Sequence, residues 1–421
     1  MHDHITSERP EIDFDQHSPE HARHAVRNYN NIREQHPVAW SGRYGGFWLI
    51  SGYQEAVYAL RNPSIFSSAR FLNAEGRLDG GIAIPPLPFR LVPTETDLPE
   101  WEGPRMLLNR ALSPRAVLAF KERAQDFTTL LIDRYIASGE MDLVLHLANP
   151  LPAILTMELV GLPLEEWERF AEPFHAYPSS LPGTPELQRA VEGIQWINRQ
   201  LGELVKRRRK DPQDDLATSV IAAQRLDGSR YTHDEIVEIL AQVVSGGVDT
   251  TTSLTANAFW HLHLHRDDRQ RLIDDPALLS PATEEFLRFY TPVQAGGRTT
   301  TERCEIGGQE MGSRERVLLA LSAANRDRHE FEDADKFIID RFPNLHMSFG
   351  LGMHRCVGSH FARLLFETML RAVLERIPDY EVIEAGAERY HSIAAVNGWA
   401  TIPVRFTPGA IIGAGRSLPG P

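Results

Sequence analysis

The stretch Phe349-Gly350-Leu351-Gly352-Met353-His354-Arg355-Cys356-Val357-Gly358 restricts what this chain can fold into more than any other. It sets one cysteine at the end of a glycine-bent loop, just before an apolar-periodic segment that predicts a helix over residues 357–375. The turn's N–H groups and the positive end of that helix both favour a deprotonated sulfur. Gly350 and Gly352 let the backbone pass close to a flat group, and Gly358 removes a side chain that would strike it. The combination suits a thiolate ligand to the iron of a planar macrocycle better than an inert buried cysteine.

Residues 232–265 read as one long helix. Thr232 and Glu235 make a capping box, and Ile236, Ile239, Leu240, Val243 and Val244 recur at helical spacing until Ser245-Gly246-Gly247-Val248-Asp249-Thr250-Thr251 breaks the pattern. Two glycines inside a helix cost about 1 kcal/mol each, so either something approaches the backbone there or the helix opens. Further on, Pro281 after Ser280 marks a helix start, and Glu285 and Arg288, three apart on one face, can pair.

Together these segments resemble the cytochrome P-450 family. The cysteine loop fits Phe-Gly-x-Gly-x-His/Arg-x-Cys-x-Gly at every fixed position, and Gly246 to Thr250 fit (Ala/Gly)-Gly-x-(Asp/Glu)-Thr. Glu285 and Arg288 fit Glu-x-x-Arg, with Arg341 matching the third member of that network. The resemblance implies a mainly α fold with small β-sheets and a haem between a long central helix and the cysteine-loop helix. Residues 11–408 would form that single haem domain, with 1–10 a flexible N-terminus and 409–421 a flexible tail.

The resemblance also implies roles. Cys356 would be the axial ligand of haem b, in a loop shaped by Phe349, Gly350 and Gly358. Thr250 would hydrogen-bond bound O2, and Asp249 would link it to a proton supply. Arg298, His354 and Arg105 would meet the propionates, joined by Trp101, which stands where most bacterial members carry histidine and can still donate an indole N–H. Glu285, Arg288 and Arg341 would brace the proximal side.

With Gly45-Gly46-Phe47-Trp48-Leu49-Ile50 and Val396 to Pro403, the chain most resembles the soluble bacterial branch that includes camphor hydroxylase. In that frame Gln242, Ser245, Gly246, Val293, Gln294, Ala395 and Val396 face substrate, and the segment from Arg70 to Leu98 covers it. The mostly small side chains suggest a roomy cavity. Arg70, Arg77 and Arg90 in the cover suggest a bulky, alicyclic molecule with a polar or anionic group, such as a polycyclic terpenoid acid.

The expected activity is hydroxylation of a small hydrophobic molecule by O2. The chain offers no flavin or iron-sulfur segment, so NAD(P)H-derived electrons would arrive through ferredoxin reductase and a ferredoxin docked on Arg105, Arg110, Arg355 and Arg363. Peroxide-driven oxidation or a haem-catalysed rearrangement is the alternative within this fold, and a haem-based sensor the alternative outside catalysis.

A net charge of −13 argues against nucleic acid, and no apolar run approaches a membrane span. Two cysteines, Cys304 and Cys356, fit a reducing compartment, and a cytoplasmic monomer is expected. Lys206 to Lys210 reads as the solvated end of a helix. His261 and His265 stand one turn apart and could bind zinc, but no acidic or cysteine third ligand suggests itself near them in sequence.

Overall fold

The computed structural model describes residues 9–413 apart from Ala74, Arg77, Pro88 and Pro182. Most of the expected flexible N-terminus and tail, and Arg77 of the expected cover, lie outside the described residues. The parts of both ends that are described are fastened. Pro10 accepts a hydrogen bond from the Trp40 N–H, and Ile412 and Gly413 donate to Asp133.

Helices dominate, and the chain folds as expected into a mainly helical body with small sheets. The six-stranded sheet runs in the order Glu11–Ile12, Val38–Ser41, Phe47–Ile50, Arg316–Leu319, Gly296–Thr300, Phe66–Ser67. Its Phe47–Ile50 strand is buried at every position, as a strand covered on both faces must be. This sheet matters to the site because it carries Arg298, which pairs with Val317.

The main core gathers on the helix Ser359–Arg376. Phe361, Leu365, Phe366, Met369, Leu370 and Val373 pack against Lys121–Ile136, Asp249–Leu264 and Leu279–Tyr290. Removing an aromatic such as Phe366 from this cluster costs about 3–5 kcal/mol. The helix begins at Ser359, two residues after its expected start, because Val357 and Gly358 are still completing the cysteine turn. The Glu285 helix likewise begins at Leu279, two residues before Pro281, whose missing N–H falls in the first turn where no intrahelical acceptor exists.

The long central helix is two helices, His233–Gly247 and Asp249–Leu264, separated at Val248. The expected capping box of Thr232 and Glu235 is present. The glycines explain the break separately. A Cβ on Gly247 would press into Thr156 of the neighbouring helix Pro150–Val160, whereas one on Gly246 would meet nothing closer than Gln242 Nε2 at 3.4 Å. One glycine serves packing and the other faces open space.

The segment expected to cover the site is not a plain loop. Arg70–Leu72 and Leu78–Gly80 form a short antiparallel pair, and fully buried Glu95 gathers Arg70 with the N–H groups of Ile82 and Leu91. Arg70 also donates to Leu87 O and Phe89 O, so its charge staples the segment and is not free to meet a ligand. Phe89 meets Tyr177 of the helix Trp167–Ser179 edge-on, closing the cover against it.

The helix Pro185–Lys210 ends in the basic run, with Lys206, Arg207, Arg209 and Lys210 exposed and Arg208 turned to Asp215 and Gly161 O. No helix among the described residues is long and apolar enough to cross a membrane.

Candidate active site

The cysteine loop is closed by the Cys356 N–H, which donates to Phe349 O at 2.7 Å, and by the Gly350 N–H on Met347 O. Gly350 and Gly352 both hold positive φ, 66° and 68°, which a side chain would strain. They differ in what they face. A Cβ on Gly352 would strike the carbonyl of Leu60, so that glycine lets another backbone pass, while one on Gly350 would sit 3.9 Å from His354 O.

The Cys356 sulfur opens onto the cleft, yet dense protein around it pushes the thiol pKa up. The Gly358 N–H and the charges of Arg105, Arg355 and Arg363 oppose that rise without overcoming it. A metal ion bound to this sulfur would supply the charge that removes the proton.

His354, two residues before the cysteine, is the centre of the cationic cluster. Its Nε2 lies 3.0 Å from Ser68 Oγ and its ring is edge-on to Trp101 at 6.1 Å. Burial, then the neighbouring charges of Arg298 and Arg105, lower its pKa to about 3, so it is a neutral donor or acceptor at neutral pH. Arg298 is buried, its own pKa lowered to about 10 by that burial, and among the described residues its guanidinium donates to Gly297 O alone. The Trp101 indole N–H is buried with no partner. Arg105 faces the Trp101 ring and donates to Arg355 O, the carbonyl just before Cys356. Buried donors short of acceptors beside a cysteine open to the cleft fit a haem and its propionates.

At the break in the central helix, Thr250 Oγ1 donates to Gly246 O at 3.0 Å. The hydroxyl of Thr252 is committed to Ala148 O and Val248 O, in another direction. Gln242, Gly246 and Thr250 repeat at four-residue spacing on one face, and Gly246 is exposed although the helix runs through the interior. That face therefore borders a cleft, with Ser245 half-buried beside it. Gln242 Oε1 is buried without a partner.

Asp249 is buried and joins two residues that sequence reasoning missed. Its Oδ1 accepts from Tyr390 Oη at 2.7 Å and lies 2.9 Å from His175 Nδ1, while Oδ2 has no partner. Burial alone would lower the histidine pKa, but the hydrogen bond and charge of Asp249 raise it above its ordinary value. Tyr390, raised well above its usual range by burial and by Asp249, keeps its proton. Neither residue lies in a recognisable motif, and each comes from a distant element.

Of the remaining pocket residues, Val293 and Ala395 are half-buried and Val396 is buried. Gln294 is buried with its amide turned back onto Thr291 O and Tyr290 O, which leaves it poorly placed to meet a ligand. It lines instead a separate cleft of about 750 Å³ beside the helix Pro19–Gln35, which none of Cys356, Asp249 or Thr250 borders.

The bracing network is assembled in full and is not a surface pair. Glu285 and Arg288 are completely buried, joined by two hydrogen bonds of 2.8 Å, and Arg341 Nε donates to both Glu285 oxygens at 3.1 Å. The Ile338 N–H and Asn344 add two further donors to Glu285. Arg288 donates its remaining N–H groups to Asn325 O, Ala334 O and Lys336 O.

Arg363 is not a free surface charge. It grips Glu284 through both carboxylate oxygens, at 2.6 and 2.7 Å, and its guanidinium lies 4.5 Å from the centre of the Phe349 ring.

Comparison with known proteins identifies the architecture. The profile of the Cytochrome P450 family matches residues 166–378. Cytochrome P450 107B1 of Saccharopolyspora erythraea is 32% identical over 391 residues, 91% of this chain and 94% of that protein. Steroid C26-monooxygenase of Mycobacterium tuberculosis is 30% identical over 411 residues, 97% of this chain and all of the other. The crystal structure of CYP109E1 from Bacillus megaterium in complex with testosterone superposes with a TM-score of 0.81 at 26% identity, covering 92% of this chain and 99% of that one.

Proposed function

The chain belongs to the cytochrome P450 family and is a haem-thiolate monooxygenase, and on that premise we propose that it oxidises a bulky polycyclic molecule at a C–H bond. The cofactor in this reading is haem b, which when bound supplies O2 activation with electrons from outside. Residues 11–408 make the domain that holds it. Cys356 would ligate its iron, and Arg298, Trp101 and the neutral His354 would receive its propionates, with Arg105 fixing the carbonyl before the cysteine.

The observation that carries the catalytic reading is the Asp249–Thr250 pair at the helix break. Thr250 presents its hydroxyl at the edge of the cleft, and Asp249 keeps one buried carboxylate oxygen without a partner. An acid beside an alcohol moves protons inward while bulk water stays out. His175 and Tyr390 are positioning residues that hold the other carboxylate oxygen. This pair favours O2 over peroxide as the oxidant.

A polycyclic substrate is supported by the small side chains at Ser245, Gly246 and Ala395 and by the steroids in the names of two similar proteins. The polar end of such a molecule would meet the Gln242 amide NH2, which lies on the Gly246 side of the helix, since Arg70 is consumed by Glu95. Electrons would come from a ferredoxin, reduced by its NAD(P)H-dependent reductase.

The test has two parts. Cys356→Ser is expected to lose the red-shifted Soret band of the ferrous carbon monoxide complex while retaining its far-ultraviolet circular dichroism; a retained band refutes the ligand assignment. Steroids and polycyclic terpenoids are then screened for the low-spin to high-spin change of the haem, followed by product analysis. Failure of every polycyclic compound, with a response to linear ones, overturns the substrate class.

A further inference from the structure

The expectation that His261 and His265 lack an acidic neighbour fails on both counts: Asp268 stands only three residues after His265, and the fold brings its carboxylate to both rings. The helix Asp249–Leu264 ends just before His265, and the next helix, Arg266–Asp274, turns Asp268 of its first turn back toward both imidazoles. One ligand atom from each residue lies within 4.8 Å of the others. We propose that His261, His265 and Asp268 bind a borderline divalent transition-metal ion, zinc foremost, that clips the end of the central helix to the helix that follows.

Ligand chemistry and spacing agree on the class of ion. Two imidazoles and a carboxylate suit zinc and its neighbours rather than magnesium or calcium. Ligands of a tetrahedral zinc lie roughly 3.4 Å apart at bond lengths of about 2.0–2.1 Å. His261 Nε2 and Asp268 Oδ2 already stand 3.3 Å apart, and the exposed His265, whose ring stacks on that of His261 at 4.3 Å, would rotate off that stack to close the remainder.

The buried member is held rigidly. The His261 ring is set among Phe286, Phe289 and Phe337, and its Nδ1 lies 2.8 Å from Tyr290 Oη. With a metal on Nε2, that nitrogen would donate its proton to the phenol oxygen, the outer contact that orients metal-bound histidines. Arg271 contacts Asp268 only at 3.8 Å from an exposed position and is shared with Asp340, so a metal would not have to break a strong pair.

Holoenzyme dialysed against a chelator and then against buffer is titrated with zinc chloride by calorimetry, with its melting temperature and haem absorbance followed in parallel. The expected result is one saturable site per chain and a zinc-dependent rise in melting temperature. His265→Gln and Asp268→Asn should each weaken binding at least about tenfold and abolish the rise, and Tyr290→Phe should weaken it roughly 10- to 100-fold. The haem spectrum and turnover should stay unchanged throughout. Because His265 is exposed, its variant tests ligation without threatening the fold. Equal zinc affinity in the parent and both ligand variants overturns the proposal, as does binding weaker than about 1 mM.

Discussion

Asp249 has one carboxylate oxygen held by His175 and Tyr390 and one free, and Thr250 beside it has its hydroxyl on a helix carbonyl. Thr250→Ala is therefore expected to leave haem content and substrate affinity nearly unchanged while product formed per reduced nicotinamide falls several-fold and hydrogen peroxide rises. That shift in partition corresponds to about 1 kcal/mol or more. Unchanged coupling would transfer the role to Thr251, since Thr252 is committed to Ala148. His175→Gln tests the holder. The folded-state pKa of His175 lies above the ordinary value, so the stability that its ion pair contributes is fully present below about pH 6.5 and is lost as pH rises through the folded value. The stability gap between parent and His175→Gln, read from denaturant midpoints, should thus be widest at mildly acid pH and narrow on going alkaline. A gap independent of pH would show that His175 packs there without carrying charge.

At the scale of elements, the helix Leu279–Tyr290 is pinned to Ser359–Arg376 by Glu284, which accepts from Arg363 and from His346. Burial works to raise the Glu284 pKa, but those hydrogen bonds and charges prevail and hold it at about 2. Its contribution is therefore present above the unfolded carboxylate value of about 4.3 and is lost as pH falls toward 2. Glu284→Gln should lower the melting temperature at pH 7, and the difference from the parent should shrink steadily between about pH 4.5 and the acid limit. A constant difference would mean that the site serves shape alone. The contrast with Glu285 shows what a sequence can reveal. Glu285, Arg288 and Arg341 were legible because a fixed spacing on one helix and a matching arginine downstream point to one another, as were the turn around Cys356 and the capping box at Thr232. The grip of Glu284 on Arg363, of Asp249 on His175 and of Glu95 on Arg70 was not. Each is made by tertiary packing between elements whose mutual approach no local periodicity encodes, and in each the carboxylate claims a residue with no motif, or one that had read as a free surface or pocket charge. The break at Val248 was half legible, since two adjacent glycines announce it, but only the neighbouring Thr156 shows which of them packing requires.

Over the whole molecule, a net charge of −13 would repel an acidic ferredoxin, so docking needs a local basic face that stands against the average. Packing removes Arg363 from that face by pairing it with Glu284, and Arg105 by turning it onto Arg355 O. Arg110 and Arg355 remain exposed. Met106 shares an exposed helix face with Arg110, four residues on, and Leu118 stands exposed on the helix Pro114–Leu118, which packs against the helix that follows Cys356. Exposed apolar side chains beside Arg110 suit a partner that arrives by charge and settles by contact. Arg110→Glu is accordingly expected to slow haem reduction by a ferredoxin and to weaken its apparent affinity at low salt. The deficit should shrink as ionic strength rises and the Debye length falls toward about 3 Å at 1 M. Peroxide-supported turnover should match the parent, because among the described residues no hydrogen bond or ion pair ties the exposed Arg110 side chain to those around Cys356. Stopped-flow reduction at several salt concentrations, run beside peroxide turnover, separates the outcomes. Equal reduction rates at low salt would remove Arg110 from the electron-entry face, whereas a parallel loss of peroxide turnover would locate the damage in the haem site.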